Sequence, residues 1–551
     1  MHLQRLTSYR PSKMENKKQD FNIVLINPCI NDDALGAYRK AKLHSINLGI
    51  GSLAAYTEKE LSVNIHIIDA RFFALTPEEA YSKLVSYNPN IVGFSLCVHE
   101  AANWSGRLIK LIRVNHSNVH VSLGGYFPSL FPEKVFMDLP DIDSIVIGEG
   151  ELIFCELCKC LKEGNDWKGV SGIAYRDKDK QKTIITPSRA LIKNLDTLPW
   201  PRRYLAAGDG SNMEVVIEGA RGCVFKCTFC AVGPFYHLSS GSILRIKSAQ
   251  YLYDEITFLC QNYPKLQDFR FLDPDFIASK NKEKTVNLLK LLNNSSFKIR
   301  MHAEMRAPSI VQNRDLLIQL REAGLVHVNL GIESGSQKIL DKMQKHCRVS
   351  DILEATAILR DLGIDYTYGF MMITPWVIEE DIEQNINLLR NIGKIEVHKI
   401  FSEMTIIPGT TVFEQLKSEN RLQWQGRLQY YSYLTESPKI EHFREIGALL
   451  QMNYPQFFKD MLFIYSCIRN FRLNRDDLTA ESIERQSDQL FIDLFDYCWS
   501  RALMPQCKTS INASIITSCF NQFAERVNHL VYFIKNNTSL LMNDDGVRLQ
   551  S

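Results

Sequence analysis

The chain has 551 residues, 45% of them hydrophobic, and its 64 Lys and Arg against 62 Asp and Glu leave a formal charge of +2. That length suits three or four packed domains, and the balanced charge excludes a field that would draw the whole molecule onto nucleic acid or an anionic membrane. No apolar run approaches the roughly 18 residues of a membrane-spanning helix, no secretory signal pattern is present, and 14 cysteines are too sparse for a disulfide scaffold, so a reducing cytoplasm is expected.

Residues 1–20 are polar and basic and are expected to form a disordered tail. From residue 21 to about 165, short apolar runs alternate with segments of helical period. Asn22–Asn27, Val63–Asp69, Ile91–Leu96, Val119–Leu123 and Ser144–Ile147 read as strands, and the alternation predicts an α/β domain with a doubly wound parallel sheet. Ligands of such sheets sit beyond the carboxyl ends of the strands. Those ends carry Asn27-Pro28-Cys29, Asp69-Ala70-Arg71, Ser95-Leu96-Cys97, Leu123-Gly124-Gly125 and Gly148-Glu149-Gly150-Glu151. Adjacent glycines let backbone lie against a bulky ligand, and small hydroxyls can bond to it. Cys155, Cys158 and Cys160 fall on a predicted helix, Leu152–Lys162, either as structural thiols or as a second metal site. Residues 166–210 read as a connector: a small hairpin from Trp167–Tyr175 and Gln181–Thr186, then a strap held extended by Pro199 and Pro201.

Strand and helix patterns alternate again over residues 211–430, predicting a partial or complete (β/α) barrel with its site at the carboxyl ends of the strands. A strand beginning at Met213 leads into a loop with Cys223, Cys227 and Cys230, and Ser248–Leu259 reads as a helix leaving it. Three thiolates at that spacing suit three irons of a four-iron cluster, whereas structural zinc wants a fourth ligand, for which His237 is the nearest candidate. Asp273 and Asp275 follow a strand, Asp275 with an Asx turn as its alternative role. Arg306 ends another, facing either a ligand or solvent. Glu333 and Ser334 end a third.

The CxxxCxxC loop resembles that of the radical S-adenosylmethionine (SAM) superfamily, and the strand ends at Ser95, Gly124, Gly125, Gly148 and Glu149 resemble the cobalamin-binding domain that precedes many of its members. The resemblance implies a 4Fe-4S cluster on Cys223, Cys227 and Cys230, SAM on its open iron, and cobalamin on the first domain. It places Asp273 by the SAM amino group, Glu333 and Ser334 by its ribose and methionine portions, and Arg306 by its carboxylate or the substrate. It implies a 5′-deoxyadenosyl radical, C-methylation of an unactivated carbon, and a reductant such as flavodoxin or ferredoxin. Radical cyclisation or rearrangement, methylthiotransfer, and a cofactor-carrying binding protein without radical chemistry are the alternatives.

Two departures from the family pattern stand out. The first strand ends in Asn27-Pro28-Cys29 with no histidine motif to ligate cobalt, and Ile373, Trp376 and Val377 replace the Gly and Glu of the segment near adenine. Trp376 either closes the pocket or packs in the core. Residues 431–551 show three apolar segments of helical period, expected to form a helical domain over the mouth of the barrel, with Tyr430, Tyr431 and Tyr433 either lining a substrate channel or packing. A small metabolite, lipid-like intermediate or peptide is the expected substrate class.

Overall fold

The computed structural model describes residues 21–30, 47–203 except 98, 178, 180 and 181, 214–424, 431–464 except 462, 477–503 and 521–534 except 522 and 533. The expected tail at 1–20, Met213, Tyr430 and part of the last helical segment lie outside the described residues.

The first unit is a seven-stranded sheet in the order β2-β1-β3-β4-β5-β6-β7, with β1 Asn22–Asn27, β2 Asn64–Asp69, β3 Ile91–Ser95, β4 His120–Gly124, β5 Ser144–Val146, β6 Ile173–Asp177 and β7 Lys182–Ile185. β1 to β5 are parallel, and their central strands are continuous apolar runs because both faces are covered. Helices Leu48–Leu61 and Gly150–Glu163 cover one face, and Pro77–Val85, Ala102–Asn115 and Pro132–Asp138 the other. The order reverses between β1 and β3, which opens the ligand crevice at their carboxyl ends. β6 and β7 are the hairpin expected in the connector. It extends the sheet antiparallel to β5, so the first unit runs past residue 165 and only the strap remains as connector. Its Arg202 N donates to Gly51 O at 2.9 Å, while Tyr251 on the far side donates to Leu198 O at 3.1 Å, lacing the two units together.

The second unit is an open, all-parallel sheet in sequential order: β8 Glu214–Ile217, β11 Asp268–Phe271, β12 Arg300–Arg306, β13 Leu325–Glu333 and β14 Asp365–Phe370. Between β8 and β11 lies the short antiparallel pair β9 Ala220–Arg221 and β10 Arg245–Ile246. A parallel bridge between Ile373 and Glu403 adds a sixth position, making a partial barrel. Residues alternate across each strand. One set, such as Met301, Ala303 and Met305, packs under the outer helices. The other faces the interior and is polar: Arg270 bonds both oxygens of Glu214 at 2.7 and 2.9 Å, His302 meets Asp268 at 2.8 Å, and Asn329 donates to Glu304 and accepts from Thr367.

The hairpin β15 Leu422–Trp424 and β16 Tyr431–Tyr433 follows, and then helices Pro438–Asn453 and Asp477–Ala502. These described helices do not cover the mouth. Ile395 N donates to Asp488 at 2.8 Å and Arg390 pairs with Asp496 at 2.7 Å, while Lys394, beside them, meets Asp365 at the start of β14. The tail therefore packs on the open edge beyond the sixth position and at the end where strands begin. The reason is apolar: Phe401 on that edge meets Phe443, which also contacts Phe495 and Trp499. The hairpin reaches the mouth, where Tyr431 packs on Phe413 and faces Phe131 of the first unit. Tyr433 is buried, its hydroxyl donating to Ile373 O at 2.9 Å. Replacing Phe443 by Ala should destabilise the tail and its edge by about 3–5 kcal/mol, read as a lower denaturant midpoint with cluster loading unchanged.

Candidate active site

Arg221 closes β9, and the loop from Gly222 to Cys230 follows at the carboxyl end of the barrel. Gly222 has φ +79, and a Cβ there would run into Ile243 O, so only glycine turns the chain at this point. Thr228 pins the loop: its N donates to Met343 O at 2.9 Å and its O accepts from Val412 N at 3.1 Å. Cys223, Cys227 and Cys230 are all partly exposed. Burial raises the Cys227 thiol, with Lys345 and Arg306 pulling it back, and burial likewise raises Cys230. Metal binding replaces those protons. Among the described residues no three His, Cys, Asp or Glu side chains converge as ligands of a single ion. The three thiols share one loop, and because each thiolate of a four-iron cluster binds its own iron, they need not meet at one ion to hold such a cluster.

Next to the loop, Glu333 occupies the left-handed region at φ +72, where a non-glycine residue is strained, at a bulge between β13 and β14. Its Oε1 accepts from Lys345 Nζ at 2.7 Å. The rung below is Arg306, Gly331 and Gly369. A Cβ on Gly331 would lie 2.6 Å from Lys345 Nζ and one on Gly369 3.0 Å from Glu333 Oε2, so both glycines make room for this pair. Arg306 stacks on Phe225 of the loop, 3.5 Å from the ring centroid, and donates through Nη2 to Lys345 O; its Nε is buried without a partner. Glu333 and Arg306 thus come together around the loop, with Lys345, which sequence reasoning missed because it follows a short helix rather than a strand.

Two expected SAM contacts lie elsewhere. Asp273 is fully buried against Gly219 and paired with Lys284, leaving Oδ1 without a partner. Ser334 departs from its expected role: it is fully buried, donates to Asn385 Oδ1 at 2.8 Å and accepts from Ser336 N at 3.1 Å, tying the strand end to helix Glu379–Ile392. Ile373, Trp376 and Val377 are buried in the core. Asp275 is also buried; it accepts from Ser309 at 2.5 Å and has Oδ1 unpartnered.

Across the mouth, Asp69, Asn27, Asn47 and Ser95 form a chain of side-chain bonds at the ends of β2, β1 and β3, with Asn27 donating to Asp69 at 2.7 Å and Asn47 to Asn27 at 3.0 Å and Ser95 at 3.4 Å. Cys97 is exposed beside Ser95, while Cys29 is buried and donates to Ala70 O. Gly125 has φ +105, and a Cβ would lie 2.7 Å from Leu96 O; Gly148 has φ +85 and takes a bond from its N to Ser129. Gly124 ends β4 opposite Ser95, the last residue of β3. These small residues make a cradle along the carboxyl ends of β1, β3, β4 and β5. Tyr126, next to Gly125, reaches Phe235 beyond the cysteine loop at 4.3 Å; burial, with Cys97 nearby, pushes its phenol up to about 12.

Glu149 does not face that cradle. Its Oε1 accepts from Arg221 at 3.1 Å and its Oε2 from Arg245 at 2.7 Å and Ile192 N at 3.1 Å. Burial alone would raise the Glu151 carboxyl, but Arg221, with a bond of 2.6 Å, and Ser52 hold it at about 2. Cys155 and Cys158 are buried on their helix, Cys158 within the apolar core of that face, and burial raises both thiols.

Residues 217–411 match the radical SAM superfamily, and residues 35–158 match the B12 binding domain. The chain belongs to the radical SAM enzymes that carry a B12-binding domain. It is 28% identical to an uncharacterized methyltransferase of Pyrococcus horikoshii over 75% of this chain and 87% of that protein. It is 25% identical to the anaerobic magnesium-protoporphyrin IX monomethyl ester cyclase of Rubrivivax gelatinosus over 75% of this chain and 74% of that one. The fold resembles that of OxsB, a cobalamin-dependent SAM radical enzyme solved with aqua-cobalamin, at TM-score 0.72 and 18% identity, covering 96% of this chain and 82% of OxsB.

Two outcomes follow for this radical SAM enzyme. Gly331→Val should push Lys345 off Glu333 and weaken SAM binding by about tenfold or more at unchanged iron content, read by equilibrium binding. Burial pushes Asp275 from its ordinary 3.8 up to about 6, against Ser309 and Arg306. The native state then holds a proton that the unfolded chain releases, so stability should fall by on the order of 2–3 kcal/mol as pH rises through that window. Asp275→Asn should flatten the dependence in denaturant midpoints measured from about pH 4.5 to about pH 7.

Proposed function

We propose that the protein is a cobalamin-dependent radical SAM methyltransferase acting on an unactivated carbon of a small molecule or peptide. The observation that carries this reading is the facing of two strand-end sites: the glycine cradle of the first unit and the cysteine loop of the barrel, joined through Glu149 and Arg221. When bound, the cluster with SAM supplies a carbon-centred radical that removes a hydrogen atom, and cobalamin supplies a transferable methyl group.

The chain's own residues bind and orient. Cys223, Cys227 and Cys230 would hold the cluster through thiolates, and Arg306 stacked on Phe225 holds their loop. Glu333, fixed by Lys345, offers its Oε2 to a SAM hydroxyl or ammonium, with Gly331 and Gly369 making room for the Lys345–Glu333 pair. Ser95, Gly124, Gly125 and Gly148 would carry the corrinoid. Tyr431 against Phe131 narrows the mouth, which limits water around reactive species. A flavodoxin or ferredoxin in the cytoplasm is the proposed electron donor; no described helix is long and apolar enough to cross a membrane.

The likeness to the magnesium-protoporphyrin cyclase favours one second reading, a radical cyclisation or rearrangement with the same cofactors. Product mass separates them: methylation adds a methylene unit, whereas cyclisation removes hydrogens or leaves the mass unchanged. Anaerobic reconstitution should give optical spectra of both cluster and corrinoid, and changing Cys223, Cys227 and Cys230 to Ala should abolish SAM cleavage while sparing corrinoid binding. A protein that takes up no corrinoid overturns the proposal.

A further inference from the structure

We propose that Arg221 is a positioning residue that sets the separation of the corrinoid site from the cluster, by clamping carboxylates of both units in one guanidinium. The inference rests on the reading that both groups bind. Each of its three nitrogens takes a different carboxylate: Nε meets Glu218 Oε1 at 2.7 Å, Nη1 meets Glu149 Oε1 at 3.1 Å and Nη2 meets Glu151 Oε1 at 2.6 Å. Glu149 and Glu151 belong to the first unit, Glu218 to the end of β8. Arg245, paired with Arg221 across β9 and β10, takes the other oxygen of Glu149, and Lys247 lies 3.4 Å from Glu218. Three cations thus face three carboxylates, all nearly buried, so the cluster is neutral as built.

Placement gives the clamp its role. Glu149 directly follows Gly148, one of the two positive-φ glycines of the cradle, and stands at the N-cap position of helix Gly150–Glu163. Arg221 is separated from Cys223 only by Gly222, whose backbone no other residue would adopt there without a clash. The route from cradle to cluster thiolate is therefore Gly148, Glu149, one ion pair, Arg221, Gly222 and Cys223. A guanidinium forks to several carboxylates in a fixed plane, and a lysine ammonium does not reproduce that geometry. The strap and the Tyr126–Phe235 contact also join the units, but neither ties a residue flanking one cofactor site to a residue flanking the other by ionic bonds.

The test uses the full chain reconstituted anaerobically with iron and sulfide and loaded with hydroxocobalamin, then reduced so that cob(II)alamin and the cluster are both paramagnetic. Microwave power saturation of the cob(II)alamin signal reports their separation, because dipolar relaxation falls with the inverse sixth power of distance. In wild type, reducing the cluster should speed relaxation of the cobalt signal. Arg221→Met and Glu149→Gln should lose most of that enhancement while keeping wild-type iron and corrinoid contents, and Arg221→Lys should recover part of it. Arg113→Met removes an ion pair to Asp143 at the opposite end of the first sheet and should leave the enhancement unchanged. If Arg221→Met fails to fold, Glu149→Gln carries the comparison, since it keeps the shape of the side chain. Unchanged enhancement in the variants overturns the inference, as does a loss that only follows lost cofactor content or that Arg113→Met matches. A wild type that binds no corrinoid fails before any variant is compared, which overturns the functional reading instead.

Discussion

The Arg221 guanidinium is buried between two sheets that the strap and a few ring contacts also join, and it alone binds carboxylates of both units at their strand ends by ionic bonds among the described residues. Taking ions out of water costs several kcal/mol each, and removing one partner of such a group leaves an uncompensated buried charge. Glu149, Glu151 and Glu218 are therefore as dependent on Arg221 as it is on them, and Arg245 and Lys247 complete the balance. Because the carboxylates come from both units, the first sheet and the barrel can pack in this register and few others. The crevice at the ends of β1, β3, β4 and β5 is then aimed at the cysteine loop.

What surrounds the loop follows from the same economy of space and charge. Ordinary (β/α) barrels fill their interior with branched apolar side chains. Here the interior positions carry Glu214, Asp268, Arg270, His302, Glu304 and Asn329, bonded in pairs, and the topmost rung gives way to Gly331 and Gly369. The glycines leave a shelf on which Glu333 is held out of ordinary backbone geometry by Lys345 and the bulge beneath it. A strained carboxylate at a cleared shelf beside three thiols is an arrangement for holding a ligand rather than for stability.

Local pattern made much of this legible. Strand runs such as Asn22–Asn27 fall at their expected places, and the helix after Ser248 starts where expected but runs three residues past Leu259 to Asn262, because continuous apolar runs and a capping serine act locally. The cysteine spacing and the strand-end glycines were equally local. What escaped depended on distant partners. Glu149 looked like a ligand because acids at strand ends often are, yet its partner Arg221 lies 72 residues away and no periodicity links them. Ser334 was consumed by Asn385, and Lys345 reached Glu333 from an irregular segment. The tail's helices were visible as amphipathic runs, but which surface they would cover was decided by Phe401 on the open edge.

We place the strand ends of both units around one shared chamber, an arrangement joined through Glu149 and Arg221. Its most direct test is a structure of the anaerobically reconstituted protein with hydroxocobalamin and SAM bound. The account expects the corrin ring against Ser95, Gly125 and Gly148, the cluster on Cys223, Cys227 and Cys230, and SAM on the open iron beside Glu333, with the Arg221 clamp intact between them. A corrin ring bound away from those strand ends, or a SAM molecule not facing it across the mouth of the barrel, would contradict it.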